Sequence, residues 1–233
     1  MTEQRLNIGR IPALLWGEPS ERGIVAVHGS QSHKGDRVIE ILAQKAAERG
    51  YQVLSFDLPE HGDRKNLPEL CKPELCIPDL QAALAYAQTK WREIALFANS
   101  LGAYFSLRAY PAAKLKRALF LSPLLDMERM IRNMMTWFHV SEERLRQEKE
   151  IPTPMGQTLY WDYYCDVKAN PILDWPVPTD ILYGEKDELC ERDTVDAFLG
   201  RFGGTLEVLA GSEHFFHRPE QLAALEQWLE KKL

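Results

Sequence analysis

Short apolar runs alternate with segments of helical periodicity along most of the chain, and this alternation constrains the fold more than any other feature of the sequence. The runs are rich in Val, Ile, Leu and Phe and nearly continuous in apolar character, as expected for strands buried on both faces. The pattern predicts an α/β fold with a mostly parallel central sheet and helices on both faces. The predicted strands are Ile24–His28, Gln52–Phe56, Glu93–Ala98, Arg117–Leu121, Asp180–Tyr183 and Thr205–Leu209.

Local signals predict where several helices begin and end. Asp36 is a favoured cap for a helix that ends at Gly50. Pro78 suits the first turn of the next helix, and Pro219 suits the first turn of the last one. Residues 6–16 contain Gly and Pro and predict a hairpin at the edge of the sheet.

A length of 233 residues with 45% hydrophobic composition predicts one α/β domain that spans residues 1–233. The segment from Asp126 to Trp175 interrupts the alternation. It places roughly fifty residues between two strands that a crossover of about a dozen could join. We therefore expect an insertion after the sixth strand of the sheet.

Composition bears on partners and location. The formal net charge of −6 gives no electrostatic reason to bind nucleic acid or an anionic membrane, so a small-molecule partner is expected. Oligomeric state has no signal in the sequence. No segment reaches about 18 continuous apolar residues and Met1–Asn7 is no secretory signal, which predicts a cytoplasmic protein.

The sequence predicts neither a metal nor a cofactor. The four cysteines form no C-x-x-C pair and, with the histidines, show no zinc spacing, so they are interpreted as reduced structural thiols. No Gly-rich dinucleotide fingerprint follows the first strands, which argues against a nicotinamide cofactor.

The segment Glu93–Gly102 runs an apolar strand directly into the pattern small-x-Ser-x-Gly and then into a helix. A turn this tight leaves room only for small neighbours, here Ala98 and Gly102, and projects Ser100 at the carboxyl edge of the sheet. Serine is also a favoured helix cap, so the motif alone does not establish a nucleophile.

Two further polar residues follow strands in the same way. Asp187 lies in the loop after Asp180–Tyr183, and His214 lies in the loop after Thr205–Leu209. With Ser100 they give the order Ser, Asp, His at strand ends. The alternatives are Glu185, Glu188 or Asp126 for the acid and His217 for the base.

The whole set of motifs resembles the α/β-hydrolase superfamily, and the resemblance covers the chain from about Leu6 to Leu233. The chain departs from the family pattern at Ala98 and Glu60, where glycine is common. The matching pieces are Val25-Ala-Val-His-Gly29, Phe56-Asp-Leu-Pro-Glu-His-Gly-Asp63, Ala98-Asn-Ser-Leu-Gly102, Gly184-Glu-Lys-Asp187 and Gly211-Ser-Glu-His214.

The resemblance implies a serine hydrolase. Ser100 would attack an acyl carbon, His214 would take its proton, and Asp187 would orient the imidazole. The oxyanion hole would be formed by the backbone N–H groups of Leu101 and Ser30, with Gln31 as the alternative to Ser30. His28 and His61 are interpreted as structural residues that bond loops beside the site.

The substrate expected from the resemblance is a small carboxylic ester, as for carboxylesterases and the dienelactone-hydrolase-like or cinnamoyl-esterase-like members with a short cap. The resemblance also implies that the insertion of residues 126–175 is a cap or lid. Its apolar residues are candidates for the acyl pocket, although a stripe at helical spacing is equally typical of a core. The candidates are Met130, Met134, Trp137 and Trp161. A thioesterase, a peptidase, an acyltransferase, a cofactor-free haloperoxidase or a non-catalytic binding protein could carry the same residues.

Overall fold

The computed structural model describes all residues from 1 to 233, and they divide into two compact units. The larger unit comprises Met1–Leu125 and Asp174–Leu233, and the smaller one comprises Asp126–Leu173. The smaller unit follows the sixth strand of the large sheet and begins where the insertion is predicted.

The larger unit is built on an eight-stranded sheet in the order β1-β2-β4-β3-β5-β6-β9-β10. Strand β2 runs antiparallel to both of its neighbours, and the strands from β4 to β10 pair in parallel. The expected mostly parallel sheet is confirmed, and residues 6–16 do lie in an edge hairpin. The strands are β1 Glu3–Ile8, β2 Ile11–Trp16, β3 Arg22–Val27, β4 Gln52–Phe56, β5 Glu93–Asn99, β6 Ala118–Leu121, β9 Thr179–Gly184 and β10 Thr205–Leu209.

The central strands are buried over almost their whole length, which explains their continuous apolar character. Strand β10 lies at the edge of the sheet and has an exposed or half-buried side chain at every position. The helices of this unit are α1 Arg37–Glu48, α2 Pro73–Lys90, α3 Leu101–Ala109, α7 Arg192–Phe202 and α8 Pro219–Lys232.

The expected start of α2 is wrong by one and a half turns. Pro73 occupies the first turn, and Pro78 lies inside the helix. Both prolines suit a first turn, and the sequence before Pro78 has no apolar period to mark the earlier start. Asp36 does precede α1, but its side chain does not cap the helix. Its carboxylate instead accepts a hydrogen bond from the Ser32 hydroxyl.

The smaller unit consists of three helices and a two-stranded antiparallel hairpin. Asp126 caps its first helix by accepting a hydrogen bond from the Arg129 amide, and Ser141 caps the second through the Arg144 amide. The elements are α4 Met127–Trp137, α5 Glu142–Glu148, β7 Glu150–Pro152, β8 Thr158–Tyr160 and α6 Trp161–Ala169. No helix of the chain has the length and apolar character needed to cross a membrane.

Candidate active site

Ser100 is the single residue between strand β5 and helix α3, and its backbone is strained. Its φ of 49° and ψ of −116° lie outside the regions that L-residues favour, at a cost of about 1–3 kcal/mol. The turn also brings α3 against strand β3. A Cβ atom at Gly102 would lie 2.6 Å from the carbonyl oxygens of Val27 and His28, so glycine is required there.

The loops after β9 and β10 meet beside this turn. A Cβ atom on Gly184 would lie 2.6 Å from the Glu213 carbonyl oxygen, so the absence of a side chain lets the two loops touch. The His214 Nε2 atom lies 2.8 Å from Ser100 Oγ, and His214 Nδ1 lies 2.7 Å from Asp187 Oδ2. The three side chains that follow strands in the sequence are thus joined by hydrogen bonds.

The Asp187 carboxylate is fixed by the backbone of its own loop. Its Oδ1 atom accepts hydrogen bonds from the amides of Leu189, at 3.0 Å, and Cys190, at 2.8 Å. Its side chain is fully inaccessible to solvent, and only Oδ2 faces the imidazole. A carboxylate accepts and does not donate, so Nδ1 of His214 carries hydrogen and Nε2 can accept from the Ser100 hydroxyl.

The alternative acids and base have other places in the structure. The Glu185 carboxylate accepts from the Gly211 amide, and Glu188 is exposed. Asp126 caps α4, as described above. His217 is exposed, and its Nδ1 atom donates to the Phe215 carbonyl oxygen.

The candidate oxyanion donors lie on the two segments nearest Ser100. Leu101 is the first residue of α3, where backbone N–H groups are not used by the helix itself and the helix dipole is positive. A Cβ atom on Gly29 would lie 3.1 Å from Ser100 Cβ, so the loop that continues into Ser30 and Gln31 passes close to the serine. Gln31 adopts a φ of 59°. The roles of Leu101, Ser30 and Gln31 stay predictions.

Comparison with known proteins shows the family of the chain. The sequence profile described as the alpha/beta hydrolase family matches residues 24–225. The chain belongs to this family. No curated protein matches the chain in sequence.

Solved structures of α/β-hydrolases resemble this one along their whole length at low sequence identity. Est1E from Butyrivibrio proteoclasticus, described with bound ferulic acid, superposes with a TM-score of 0.80 at 16% identity, and 98% of this chain and 97% of that one are covered. Mouse alpha/beta hydrolase domain-containing protein 10 gives a TM-score of 0.76 at 17% identity, covering 100% and 98%. A cold-adapted esterase from an Arctic intertidal metagenomic library gives 0.62 at 20%, covering 99% and 93%. At these identities the likeness shows the fold.

His28 bonds two loops of this α/β-hydrolase together, as expected. Its Nδ1 atom donates to the Gly29 carbonyl oxygen at 2.8 Å, and its Nε2 atom accepts from the Leu58 amide at 3.0 Å. Only one neutral tautomer satisfies both bonds. Burial, with the nearby charge of His61, lowers the pKa of His28 to about 3, so the ring stays neutral at physiological pH.

An ion pair that sequence reasoning missed anchors the far end of the loop that contains Ser30. The Asp57 carboxylate accepts from the Lys34 amide at 2.9 Å and from Lys34 Nζ at 2.5 Å. Asp57 is fully buried, directly after strand β4. An acid directly after a buried strand is itself expected to be buried and to need a partner, so the sequence does indicate an ion pair here. It does not indicate that the partner is Lys34.

Two further residues beside the triad were also missed. Phe215 packs edge-on against the His214 ring with 5.0 Å between ring centroids, and half of its surface is exposed.

The second of these residues is Cys190. Potential metal ligand atoms of Asp187, Cys190 and His214 lie within 4.8 Å of one another. Burial, together with the Asp187 charge, raises the pKa of the Cys190 thiol well above its usual range, so the sulfur is a neutral thiol rather than the thiolate that metals prefer.

The predicted pocket residues all lie in the smaller unit. Met130, Met134 and Trp137 are on α4, and Trp161 begins α6. Met134 is buried, Met130 and Trp161 are half-buried, and Trp137 is 42% exposed. Their role in substrate binding stays a prediction, as does the role of the smaller unit as a cap.

Proposed function

We propose that the chain is a serine hydrolase that cleaves small carboxylic esters through an acyl-enzyme on Ser100. The observation that carries this proposal is the continuous hydrogen-bonded series from Ser100 Oγ through His214 to Asp187, with distances of 2.8 Å and 2.7 Å. A serine capping an ordinary helix has no need of a buried imidazole and a buried carboxylate in this order.

In the first step, His214 Nε2 takes the proton from Ser100 as Oγ attacks the ester carbonyl carbon. Asp187 stabilises the imidazolium that forms and keeps the ring in the tautomer that left Nε2 free. Negative charge develops on the carbonyl oxygen. The backbone N–H groups of Leu101 and Ser30 donate to it, aided by the positive end of α3.

In the second step, His214 returns its proton to the departing alcohol and the acyl group stays on Ser100. Water then enters, loses a proton to His214 and attacks the acyl carbon through a second oxyanion. Collapse of that intermediate breaks the bond between the acyl carbon and Oγ, and His214 returns the proton to Oγ, so that the carboxylic acid leaves and the Ser100 hydroxyl is restored. The strained backbone of Ser100 holds Oγ in place for its attack in the first step and for its departure in the second.

The choice of carboxylic esters rests on two supports. Two structurally similar proteins are described as esterases, and Est1E holds ferulic acid. In this chain, the exposed Phe215 ring presents an apolar surface directly beside His214, suited to an uncharged acyl or alcohol group.

A fluorophosphonate probe tests the nucleophile. The folded wild-type protein should be labelled at Ser100, and Ser100→Ala should not be labelled. Folded wild-type protein that resists the probe would contradict the proposal and favour a ligand-binding role for the same fold.

Replacement of each histidine by alanine tests the base. His214→Ala should lower the turnover of p-nitrophenyl acetate by roughly 10³-fold or more, because no other group lies against Ser100 Oγ to take its proton. His217→Ala is the matched control and should retain wild-type turnover. The reverse pattern would reassign the base.

The leaving group and acyl group are tested by a substrate panel. Acetate, butyrate, octanoate and feruloyl esters should differ in kcat/KM, and matched thioesters and aminoacyl amides should be poorer substrates than the ester with the same acyl group. A thioester or an amide as the best substrate would replace the ester proposal while keeping the same three residues.

A further inference from the structure

Two thiols face each other at the start of helix α2, outside the triad. Cys71 immediately precedes the capping residue Lys72, and Cys76 is the fourth residue of the helix. Their sulfur atoms lie 3.6 Å apart. A disulfide needs an S–S distance of about 2.05 Å, so a closure of about 1.5 Å separates the two thiols from a covalent bond.

The surroundings of Cys71 favour its thiolate. A hydrogen bond from the Cys76 thiol and the hydrogen bond and charge of His61 lower the pKa of Cys71 to about 6, against the opposing effects of burial and of Glu60. Burial lowers the pKa of His61, but the Cys71 contact and the Pro59 carbonyl reverse this and raise it. The contact therefore favours the charged forms of both groups, the Cys71 thiolate and the His61 imidazolium.

Cys76 has the opposite character. Burial and the neighbouring Cys71, together with Asp79, raise its pKa well above the usual range, although Arg64 acts in the other direction. Cys76 therefore remains a thiol and donates its hydrogen to Cys71. The other ring that faces His61 is His28, at 5.1 Å between centroids, and it is neutral.

Solvent access separates the two sulfurs further. Cys71 is half-buried in a loop, whereas Cys76 is fully buried. Cys71 is therefore the more accessible residue of the pair, and Cys76 is placed to react only with Cys71.

We propose that Cys71 and Cys76 form a redox-active dithiol, in which Cys71 is the residue that reacts with a peroxide and Cys76 is the residue that resolves the product into a disulfide. The 3.6 Å separation of the sulfurs, the contact of His61 with Cys71 and the difference in access assign these two roles.

The reaction balances with hydrogen peroxide as the oxidant. The Cys71 thiolate attacks one peroxide oxygen, the S–O bond forms and the O–O bond breaks. The departing hydroxide takes the proton of the His61 imidazolium and leaves as water, so Cys71 becomes a sulfenic acid. The Cys76 sulfur then attacks the Cys71 sulfur, the S–S bond forms and the S–O bond breaks. The Cys76 proton leaves with the hydroxide as a second water.

Mass spectrometry of the reduced, purified chain tests the proposal. Stoichiometric hydrogen peroxide should lower the intact mass by about 2 Da, the loss of two hydrogens, and a reducing thiol should restore it. Cleavage after Glu74, which lies between the two cysteines, should leave two peptides joined by the Cys71–Cys76 bond. Cys165, an exposed thiol on α6, is the internal control and should still be alkylated.

Single substitutions separate the two roles. Cys71→Ser should abolish both the disulfide and any sulfenic acid at this site. Cys76→Ser should leave a sulfenic acid on Cys71 that dimedone traps. Cys165→Ser is the matched control and should form the disulfide at the wild-type rate.

The pH dependence of alkylation gives a second measurement that needs no oxidation. The iodoacetamide reaction of Cys71 should be half-maximal near pH 6. Cys76→Ala removes the hydrogen-bond donor and should move that midpoint upward, toward the value of about 8.5 for an ordinary thiol. Cys76→Ser keeps a donor and should move it less.

Peroxide that oxidises Cys165 while Cys71 and Cys76 both remain alkylatable would overturn the proposal. So would a stable sulfenic acid on Cys71 in the wild-type protein, since Cys76 would then fail to resolve it. None of these readouts depends on ester turnover, so the result is independent of the proposed hydrolase activity.

Discussion

Replacement of Asp187 by asparagine should nearly abolish ester turnover while the fold is retained. The reason is that the two carboxylate oxygens of Asp187 have different hydrogen-bond partners. Oδ1 accepts two backbone amides, from Leu189 and Cys190. The asparagine carbonyl oxygen must take this place, because an NH₂ group there would face two N–H donors. The NH₂ group is then directed at His214 Nδ1, in place of the Oδ2 atom that accepts from it at 2.7 Å.

A donor facing Nδ1 selects the wrong imidazole tautomer. Nδ1 must accept, so the hydrogen moves to Nε2, which then cannot take the Ser100 proton. Comparable tautomer reversal lowers kcat by about 10⁴-fold, equivalent to about 5 kcal/mol of transition-state stabilisation. We expect that loss in kcat for p-nitrophenyl acetate, with an unchanged urea midpoint because both backbone hydrogen bonds persist.

The exposed neighbour Glu188 provides the matched control. Glu188→Gln removes a carboxylate from the same loop and should leave kcat within twofold of wild type, roughly the scatter of neutral surface substitutions. Folded Asp187→Asn protein with a kcat within about tenfold of wild type would refute the reasoning, because the imidazole would then be oriented by another group.

Three further predictions concern stability and are measured by urea unfolding. Gly102→Ala should destabilise the fold by about 1–3 kcal/mol, because its Cβ would lie 2.6 Å from two carbonyl oxygens. The control Gly200→Ala, in helix α7 with open space around the Cβ, should be neutral or stabilising. Equal effects of the two substitutions would contradict the steric argument. Arg64→Met should lower the free energy of unfolding by about 3–5 kcal/mol, because it leaves the Asp79 carboxylate buried without the guanidinium 2.6 Å away. The double variant Arg64→Met with Asp79→Leu should regain part of that stability. If it regains none, packing rather than charge dominates. Burial acts to raise the pKa of Asp180, but its cationic and hydroxyl partners hold the pKa below its usual range. The carboxylate therefore stabilises the fold above about pH 4, and this contribution is lost as the pH falls through the folded-state pKa. The difference in free energy of unfolding between wild type and Asp180→Asn should close on acidification, and a constant difference would argue against ionic stabilisation.

The parts of the fold that the sequence predicts are those fixed by local pattern. Continuous apolar runs mark the buried strands, and Gln52–Phe56 begins and ends as expected. Thr205–Leu209 also has the expected bounds, although it lies at the sheet edge and has no buried position. The turn at Ser100 is readable because Gly102, two residues after the serine, is required by the close approach of α3 to the carbonyl oxygens of Val27 and His28. Strand order then brings the ends of β5, β9 and β10 to one edge, which is why the placement of Ser100, Asp187 and His214 could be anticipated.

The contacts that could not be anticipated lie in segments without periodicity. The Lys34–Asp57 ion pair spans 23 positions, and neither residue has a neighbour pattern that identifies the other. The thiol pair lies in and just after a loop of irregular sequence, and the misplaced start of α2 concealed that Cys76 is on the helix. Phe215 follows His214 directly in the chain, but the sequence does not show that its ring packs edge-on against the imidazole while half of its surface stays exposed.

The chain departs from the family pattern at Ala98 and at Glu60. The local backbone explains the first residue, whereas a contact with another segment explains the second. Ala98 is a strand residue, paired between Val27 and Phe120 and fully buried, and a methyl group fits in an extended backbone without strain. Glu60 instead adopts a φ of 64°, which costs a side chain about 1–2 kcal/mol relative to glycine. Its carboxylate accepts from the Cys71 amide at 2.6 Å, and a hydrogen bond to a charged group contributes about 1.5–3 kcal/mol, enough to offset the strain. Glu60, which stands where glycine is common, therefore fixes the backbone of Cys71 in the thiol pair. Only the structure reveals this role, because only the structure places Cys71 beside Glu60.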